Sequence, residues 1–478
     1  MDPNRRDLPR NLTFTAATAI VVGSVIGSGI FKKTAGMTEA LPSPTLVLII
    51  WIVAAGITFL GALSAAELTA AFPDSGGLYA HFRRIFGPFT GFLYGWAVLS
   101  VIQTGTLASV SYVFAEYLRY FIPWRDPPPE AAAWGINLFG AIDIHPMQDL
   151  GTKLVAVACI AVVTVLNVLG VRLGAMVQNV FMFVKFAIMA GIVVVAAFGA
   201  GHLVEALGGP VVPPELAPPS LGGTGTWMAL AGAVTIAVSG AFWAYDGWIN
   251  VTYVAAEVRN PGRTMPRALA VGMAAVVVSY LLVNLSYFHL LPVDEIRGST
   301  LVATDALGKV LPFAAAAVAL AVVLSTFGTV NGTALASARV YFAMARDRVF
   351  FDGLARVHPR RDTPDVALWV QGVWSAVLVF SGTFDQVTDM LIFVSWAFYG
   401  LLAVAVILAR ARFPEVPRPY RVPGYPWVPL AFAAFAGVYV VLSVIENTRN
   451  ALFGALLVGA GLPFYAWFAW RARRTAGK

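Results

Sequence analysis

The sequence predicts an all-α polytopic membrane protein of twelve spanning helices, the first and sixth of them broken. Three observations predict it. Of 478 residues, 59% are apolar or aromatic and only 12% are charged, and the mean hydropathy is +0.76. The apolar residues fall into twelve long runs separated by short polar segments. Two of those runs carry helix-breaking residues in mid-span. A charged share about half that of a soluble globular protein excludes a soluble enzyme and a disordered chain. The single cysteine, Cys159, excludes an internal disulfide and a CxxC metal site.

Taken in order, the runs cover about 12–40, 44–72, 88–122, 148–170, 176–203, 226–256, 266–291, 309–345, 364–382, 386–410, 426–445 and 450–471. A straight crossing needs ~20 residues, so the longer runs imply tilt or interruption. The segments 123–147 and 204–225 are the longest polar gaps, rich in Pro and Gly. The N-terminus (MDPNRRDLPR) has no cleavable-signal pattern, so the first helix is expected to start insertion itself.

The formal net charge of +7 could suggest nucleic acid. Nucleic-acid binding needs a basic face, whereas here the basic residues sit in short loops between apolar runs. An even number of spans puts both termini in one compartment. If that is the cytoplasm, the inner segments hold most of the 32 Lys and Arg, from Arg5 and Arg6 through Arg83, Arg84, Arg339, Arg360 and Arg410 to Lys478. The outer segments hold only Lys32, Lys33, Arg119, Arg125, Arg297, Lys309 and Arg449. The positive-inside rule therefore orients the chain with both termini cytoplasmic.

The first run contains Gly23-Ser24-Val25-Ile26-Gly27-Ser28-Gly29-Ile30-Phe31. Each glycine inside a helix costs ~1 kcal/mol relative to alanine. Unpaired backbone in a bilayer costs more, unless it faces a cavity or ligand. Alone, this stretch reads equally well as a small-residue helix contact. The sixth run contains Ser239-Gly240-Ala241-Phe242-Trp243-Ala244-Tyr245-Asp246-Gly247-Trp248. Asp-Gly is a turn signal, and Asp in mid-span costs ~3 kcal/mol on insertion scales. Breaks in the first and sixth of twelve helices are what an inverted repeat of five helices predicts. Residues 12–203 would form one repeat, 226–410 the other, and 426–471 the last two helices of a single transmembrane domain.

Such breaks meet at the midplane and frame a site. A half-helix beginning near Ile30 offers free N–H groups, which suit a carboxylate. A half-helix ending near Trp243 offers free carbonyls, which suit an ammonium. Together they suit a zwitterion, an α-amino acid.

At these residues the chain resembles a known family. GSVIGSGIF is similar to the carboxylate-binding motif of the L-type amino acid transporters, within the amino acid–polyamine–organocation superfamily. FPDSGGLYAHFRRIFGPFTGFLYGW (72–96), LNVLGVRLGAMVQNVFMFVKF (166–186), FWAYDGWINVTYVAAEVRNPGRTMPRA (242–268) and STFGTVNGTALASARVYFAMARDR (325–348) resemble it in sequence and order. The resemblance spans about 11–470. It implies a LeuT-like fold and alternating-access transport of amino acids, often by exchange, in a bacterial inner membrane.

Gly27, Ser28 and Gly29 are expected to bind a substrate carboxylate through backbone N–H groups and the Ser28 hydroxyl. The carbonyls of Val25 and Ile26 would share the ammonium, with Ala244 across the site. Ser28 has a second reading as the N-cap of the outer half-helix. Trp243 falls where the family has an aromatic gate; the other reading is an interfacial anchor. Asp246 could attract a cationic substrate, carry a proton, or N-cap a half-helix resuming at Trp248. Lys185 sits near mid-depth, where a lysine is rarely idle. The resemblance implies that it replaces a sodium ion found in sodium-coupled relatives, and hence sodium independence. Asn331 matches a family pocket position, or makes an interhelical hydrogen bond.

The five histidines show no metal spacing, and neither a cofactor nor a catalytic cluster is expected. A sensor built on a transporter fold is the alternative of a different class; the short polar ends argue against it. Animal members of the family bond a single-span glycoprotein through a cysteine after the third helix. Residues 123–147 contain none, so a disulfide-linked heavy chain is not expected and the protein should work alone. Neutral amino acids, exchanged, are the leading expectation. Cationic amino acids or polyamines and proton-coupled import are the alternatives.

Overall fold

The computed structural model describes residues 10–138, 142–199, 201–359, 361 and 363–476, with backbone alone at 138, 142, 143, 171–183, 475 and 476. Arg5, Arg6, Arg360 and Lys478, which contribute to the charge asymmetry, lie outside the described residues.

Helices dominate because nearly every apolar run has a stop or start signal at its ends. We label the principal ones in chain order. Thr13 caps α1 (Phe14–Val25) by accepting from the Ala16 N–H, and α2 (Gly29–Ala40) follows after three residues. Ser43 caps α3 (Pro44–Ala71), whose first residue is a proline that needs no N–H partner. The short α4 (Leu78–Ile85) leads to α5 (Pro88–Ala97) and α6 (Gln103–Leu118). Next come α7 (Leu150–Leu169) and α8 (Val171–Ala196). The second broken helix is α9 (Trp227–Tyr245) with the single turn α10 (Asn250–Tyr253). The remaining helices are α11 (Pro261–Leu290), α12 (Pro312–Arg346), α13 (Asp365–Ser381), α14 (Phe384–Arg412), α15 (Trp427–Glu446), α16 (Thr448–Gly459) and α17 (Gly461–Ala476). A Thr383–Gln386 capping box starts α14.

Among the described residues, ten helical stretches are long and apolar enough to cross a membrane, with α1–α2, α5–α6 and α16–α17 each forming one stretch. The expected ninth span, Asp365–Ser381, is shorter than these, and the expected fifth is α8, whose side chains are described only over Val184–Ala196. The expectation of helix alone misses one feature. Residues Ile136–Leu138 and Ile142–Ile144 pair as an antiparallel hairpin, β1 and β2, inside the long polar gap.

One helix changes its winding. Between α5 and α6, Val98–Ile102 forms a π segment. Its carbonyls find outside donors: Trp374 Nε1 reaches Ser100 at 2.9 Å and the Tyr341 hydroxyl reaches Val98 at 3.3 Å. The extra residue turns Gln103 toward the second break, where its Nε2 donates to Asn250 Oδ1 at 2.9 Å.

The broken helices form the centre. The α1 segment packs on α11, and α9 packs on α2 and α3, while α12 lies against α6 and α8. A parallel bridge ties Leu12, ahead of α1, to Val258, beyond α10. At the arginine-rich ends, ion pairs fasten neighbouring elements. Glu67 on α3 is buried and accepts from Arg410 Nε and Nη2, both at 2.7 Å, and from the Val422 N–H at 2.6 Å. Glu257 accepts from Arg339 Nε at 2.8 Å.

Candidate functional site

The first break arises where glycine and serine cannot hold the helix. Val25 closes α1, and Ser28 stands at the N-cap of α2. The α2 helix therefore begins at Gly29, one residue before the expected point. Ser28 makes no side-chain cap bond; its hydroxyl is buried and has no partner. The capping alternative for Ser28 is thus not realised. Phe31 N–H closes back on the Ser28 carbonyl at 3.1 Å, so the N–H groups just ahead of it remain unspent by the helix.

The second break is set by Asp246-Gly247. The α9 helix runs to Tyr245, two residues beyond the expected end, and Asp246 is extended with its N–H on the Trp243 carbonyl at 3.2 Å. Gly247 has φ 102°, and a Cβ there would sit 2.6 Å from the Ser24 carbonyl oxygen. Only glycine permits both the left-handed backbone and the approach to the first break. Helix resumes at Asn250, and not at Trp248. Asp246 does not cap it: its Oδ1 accepts the Tyr399 hydroxyl of α14 at 2.7 Å. The capping reading of Asp246 is therefore corrected. The reason is that a neighbouring helix supplies a better donor than the resumed turn.

The two breaks touch. A Cβ on Gly29 would lie 2.4 Å from Ala244 Cα. The Tyr280 hydroxyl of α11 stands 2.9 Å from the Val25 carbonyl and 3.1 Å from the Ala244 carbonyl. It has one proton, so it satisfies one of these oxygens at a time. Lys185 of α8 is buried and braces the first break from behind. Its Nζ donates to the Gly23 carbonyl at 2.6 Å and to Thr329 Oγ1 at 2.7 Å. Thr329 in turn lies 3.4 Å from the Ile26 carbonyl and 3.1 Å from that of Ser325.

A cavity of about 20 Å³ lies between the breaks. That is room for roughly one water molecule, not an amino acid. Its walls include Val25, Gly27, Ser28, Gly29, Trp243 and Asp246, all read from the sequence. They also include Ser24, Thr106, Val110, Gly247, Asn250, Thr329 and Thr333, which sequence reasoning missed. Thr106 with Val110, and Thr329 with Thr333, are i,i+4 pairs, so each pair shows one helix face to the cavity. The threonines Thr329 and Thr333, small and polar at this spacing, were the available signal.

Three expected residues stand off the wall. Ile26 and Ala244 contribute backbone to the breaks without lining the space. Asn331 is fully buried on another face of α12, where its Oδ1 accepts Asn167 Nδ2 of α7 at 2.8 Å. The expectation of a pocket-lining Asn331 is corrected: it sits two residues from both Thr329 and Thr333, which turns it roughly to the opposite side of the helix.

Trp243 lines the cavity, buried to 5% exposure, its ring edge-on to Phe384 at 6.0 Å between centroids. A larger pocket of about 190 Å³ opens elsewhere, among His145, Gln386, Arg449 and Phe453, and touches neither break. Among the described residues, no three His, Cys, Asp or Glu side chains gather as a metal site.

The chain matches the amino acid permease family over residues 12–462. It is 30% identical over 478 residues to the human b(0,+)-type amino acid transporter 1, covering 98% of this chain and 89% of that protein. It is 28% identical over 470 residues to the human cystine/glutamate transporter, covering 96% and 85%. It is 29% identical over 471 residues to the mouse Asc-type amino acid transporter 1, covering 98% and 82%. A match of this length, with both breaks inside it, makes the chain a multi-pass membrane protein of the amino acid permease family.

Proposed function

We propose that the protein exchanges neutral L-amino acids across the cell membrane by alternating access, independently of sodium. The observation that carries this reading is the meeting of the two breaks. The unspent N–H groups at the start of α2 and the Ser28 hydroxyl receive the carboxylate. The Val25 carbonyl, now facing Tyr280, receives the ammonium as the site expands. Trp243 serves as the gate, and Lys185 stands where a sodium-coupled relative would hold its ion.

The reading includes twelve crossings in a LeuT-like arrangement, with 12–203 and 226–410 as inverted repeats. The arginine-rich ends and both termini face the cytoplasm. Partners reduce to the amino acid and the bilayer, without a disulfide-linked heavy chain, and the single subunit is the working unit. The transport names of the relatives support the substrate class in general and leave the side chain open.

One observation favours a second reading, in which the substrate is a cationic amino acid or polyamine. The Asp246 carboxylate lines the cavity, and the hydrogen bond it accepts from a side chain comes from the neutral Tyr399. A buried anion gains from a cation beside it.

The test uses proteoliposomes loaded with a labelled amino acid. Efflux is measured against a panel of external amino acids, with and without sodium and a pH gradient. Efflux that rises only with external neutral amino acids, and ignores sodium, is the expected result. Efflux independent of external substrate overturns exchange, and a sodium requirement overturns the role of Lys185.

A further inference from the structure

The strongest unexplained cluster lies beyond the Trp243 gate. Lys33, one turn after Gly29 on α2, extends its ammonium to the start of α14. Its Nζ donates to Asp385 Oδ1 at 2.6 Å and to Thr388 Oγ1 at 2.9 Å. It also lies 4.6 Å from the centroid of the Phe384 ring. A carboxylate, a hydroxyl and an aromatic face are the three things an alkylammonium needs on leaving water.

We propose that Asp385, Thr388 and Phe384 form a second recognition site, at the mouth, for the ammonium group of an incoming amino acid. Lys33 occupies it as a tethered competitor. The proposal rests on the reading of an amino acid substrate entering from the face opposite the arginine-rich ends.

Three features support it. First, access is asymmetric. The Lys33 side chain is only 7% exposed, whereas that of Asp385 is 69% exposed. A soluble ammonium can reach the acid before the lysine leaves. Second, the site touches both parts of the transport machinery. The Phe384 ring that floors it carries the edge of Trp243 on its other contact. The helix that bears Lys33 begins with Gly29, at the carboxylate-binding end. Displacing Lys33 therefore frees α2 from α14 at the moment a substrate is present. Third, the neighbouring lysine does a different job. Lys32 pairs with Glu116 of α6 at 2.7 Å and lies farther from the Phe384 ring, at 5.8 Å. The two adjacent lysines thus tie α2 to two helices, and only Lys33 fills the amine site. Exchange of one ammonium for another at the same carboxylate replaces a charge-assisted bond with its equivalent, so the swap is nearly neutral in energy.

The test separates an amine site from a simple latch by the sign of two effects. Lys33→Gln and Asp385→Asn are each reconstituted, and the KM of exchange is measured for external and for internal amino acid. Lys33→Gln removes the competitor and is expected to lower the external KM about fivefold; Asp385→Asn removes the acceptor and is expected to raise it about fivefold. The internal KM should stay within about twofold in both. A latch predicts that both variants shift the external KM in the same direction, and that result overturns the proposal. Lys33→Met keeps the stem volume and replaces Lys33→Gln should the latter misfold, as judged by its gel-filtration profile. As a second readout, external methylammonium chloride should inhibit Lys33→Gln exchange more than wild type, relative to sodium chloride at the same ionic strength. Equal inhibition counts against the site. Absence of amino acid exchange by the wild-type protein would instead overturn the transport reading itself.

Discussion

The two helix breaks look alike in sequence and behave differently in the structure. The first consists of Ile26, Gly27 and Ser28 and carries no charge. It is held from outside by Lys185, Thr329 and Tyr280, all acting on backbone carbonyls. The second contains a carboxylate, a left-handed glycine and a single helical turn, and its main brace, Tyr399, acts on a side chain. The difference assigns the work. Backbone N–H and C=O groups can bind the part common to every α-amino acid, so under the proposed function the first break would read what all substrates share. The second presents side chains, Trp243 and Asp246, and under the same proposal would read the part in which substrates differ.

The comparison breaks most severely if the two segments are forced apart. Gly29→Ala would place a Cβ 2.4 Å from Ala244 Cα, a backbone atom that cannot swing aside. Displacement of the breaks by a fraction of an ångström should lower exchange by on the order of a hundredfold, since misplacing a binding group by about 1 Å has that effect. All substrates should suffer alike. A monodisperse Gly29→Ala protein with near wild-type exchange would show that the close approach is incidental.

Removing the brace of the first break should cost less. Lys185→Met keeps the stem but leaves the Gly23 carbonyl and the Thr329 hydroxyl without their charged donor. Exchange should fall about thirtyfold, in line with the ~1.5–3 kcal/mol carried by charge-assisted hydrogen bonds. The loss should again be uniform across substrates, because the shared part of the site is damaged. A change confined to one substrate class would move Lys185 from the first role to the second.

Asp246→Asn tests the selective break. Asparagine retains an oxygen for the Tyr399 hydroxyl but has no charge. If cationic amino acids are carried, their exchange should drop at least about tenfold, whereas that of neutral amino acids should stay within about threefold. Equal losses for both classes would place Asp246 in the structure of the break. An unchanged profile would remove the charged-site reading altogether.

The breaks were legible in the sequence because their causes are local. Three glycines in seven residues and an Asp-Gly pair violate helix propensity wherever they lie in a membrane span. Their end points were legible to within two residues, since the chain stops at the last residue whose N–H and C=O still find partners. The walls were harder to read. Thr106 and Val110 reach the cavity on α6, which follows a π segment that no composition signal announces. The Tyr280 bridge and the Tyr399–Asp246 bond depend on which helices become neighbours, and a single sequence carries that only through its overall topology. The strand pair Ile136–Leu138 and Ile142–Ile144 was missed for the opposite reason: each strand has only three residues, too few alternating positions to register as strand.

The finest distinction separates Asn331 from its neighbours on α12. Thr329 and Thr333 line the cavity, while Asn331 faces α7. Helical geometry alone demands this: residues four apart share a face and the residue midway between them does not. Asn331→Ala should therefore leave the KM for exchange within about twofold of wild type. It removes the interhelical hydrogen bond from Asn167, a bond of a kind worth ~0.6 kcal/mol in membrane proteins. Asn167 Nδ2 keeps its bond to the Val163 carbonyl at 2.9 Å, so no donor is stranded and the penalty stays small. A thermal unfolding midpoint lowered by less than about 1 °C is expected. Thr333→Val, one turn from Thr329 on the cavity side, should show the reverse pattern, with KM raised by about threefold and an unchanged midpoint. If Asn331→Ala instead changes KM more than Thr333→Val does, the face of α12 that meets the substrate is the one toward α7. The site would then extend behind the first break and not between the two.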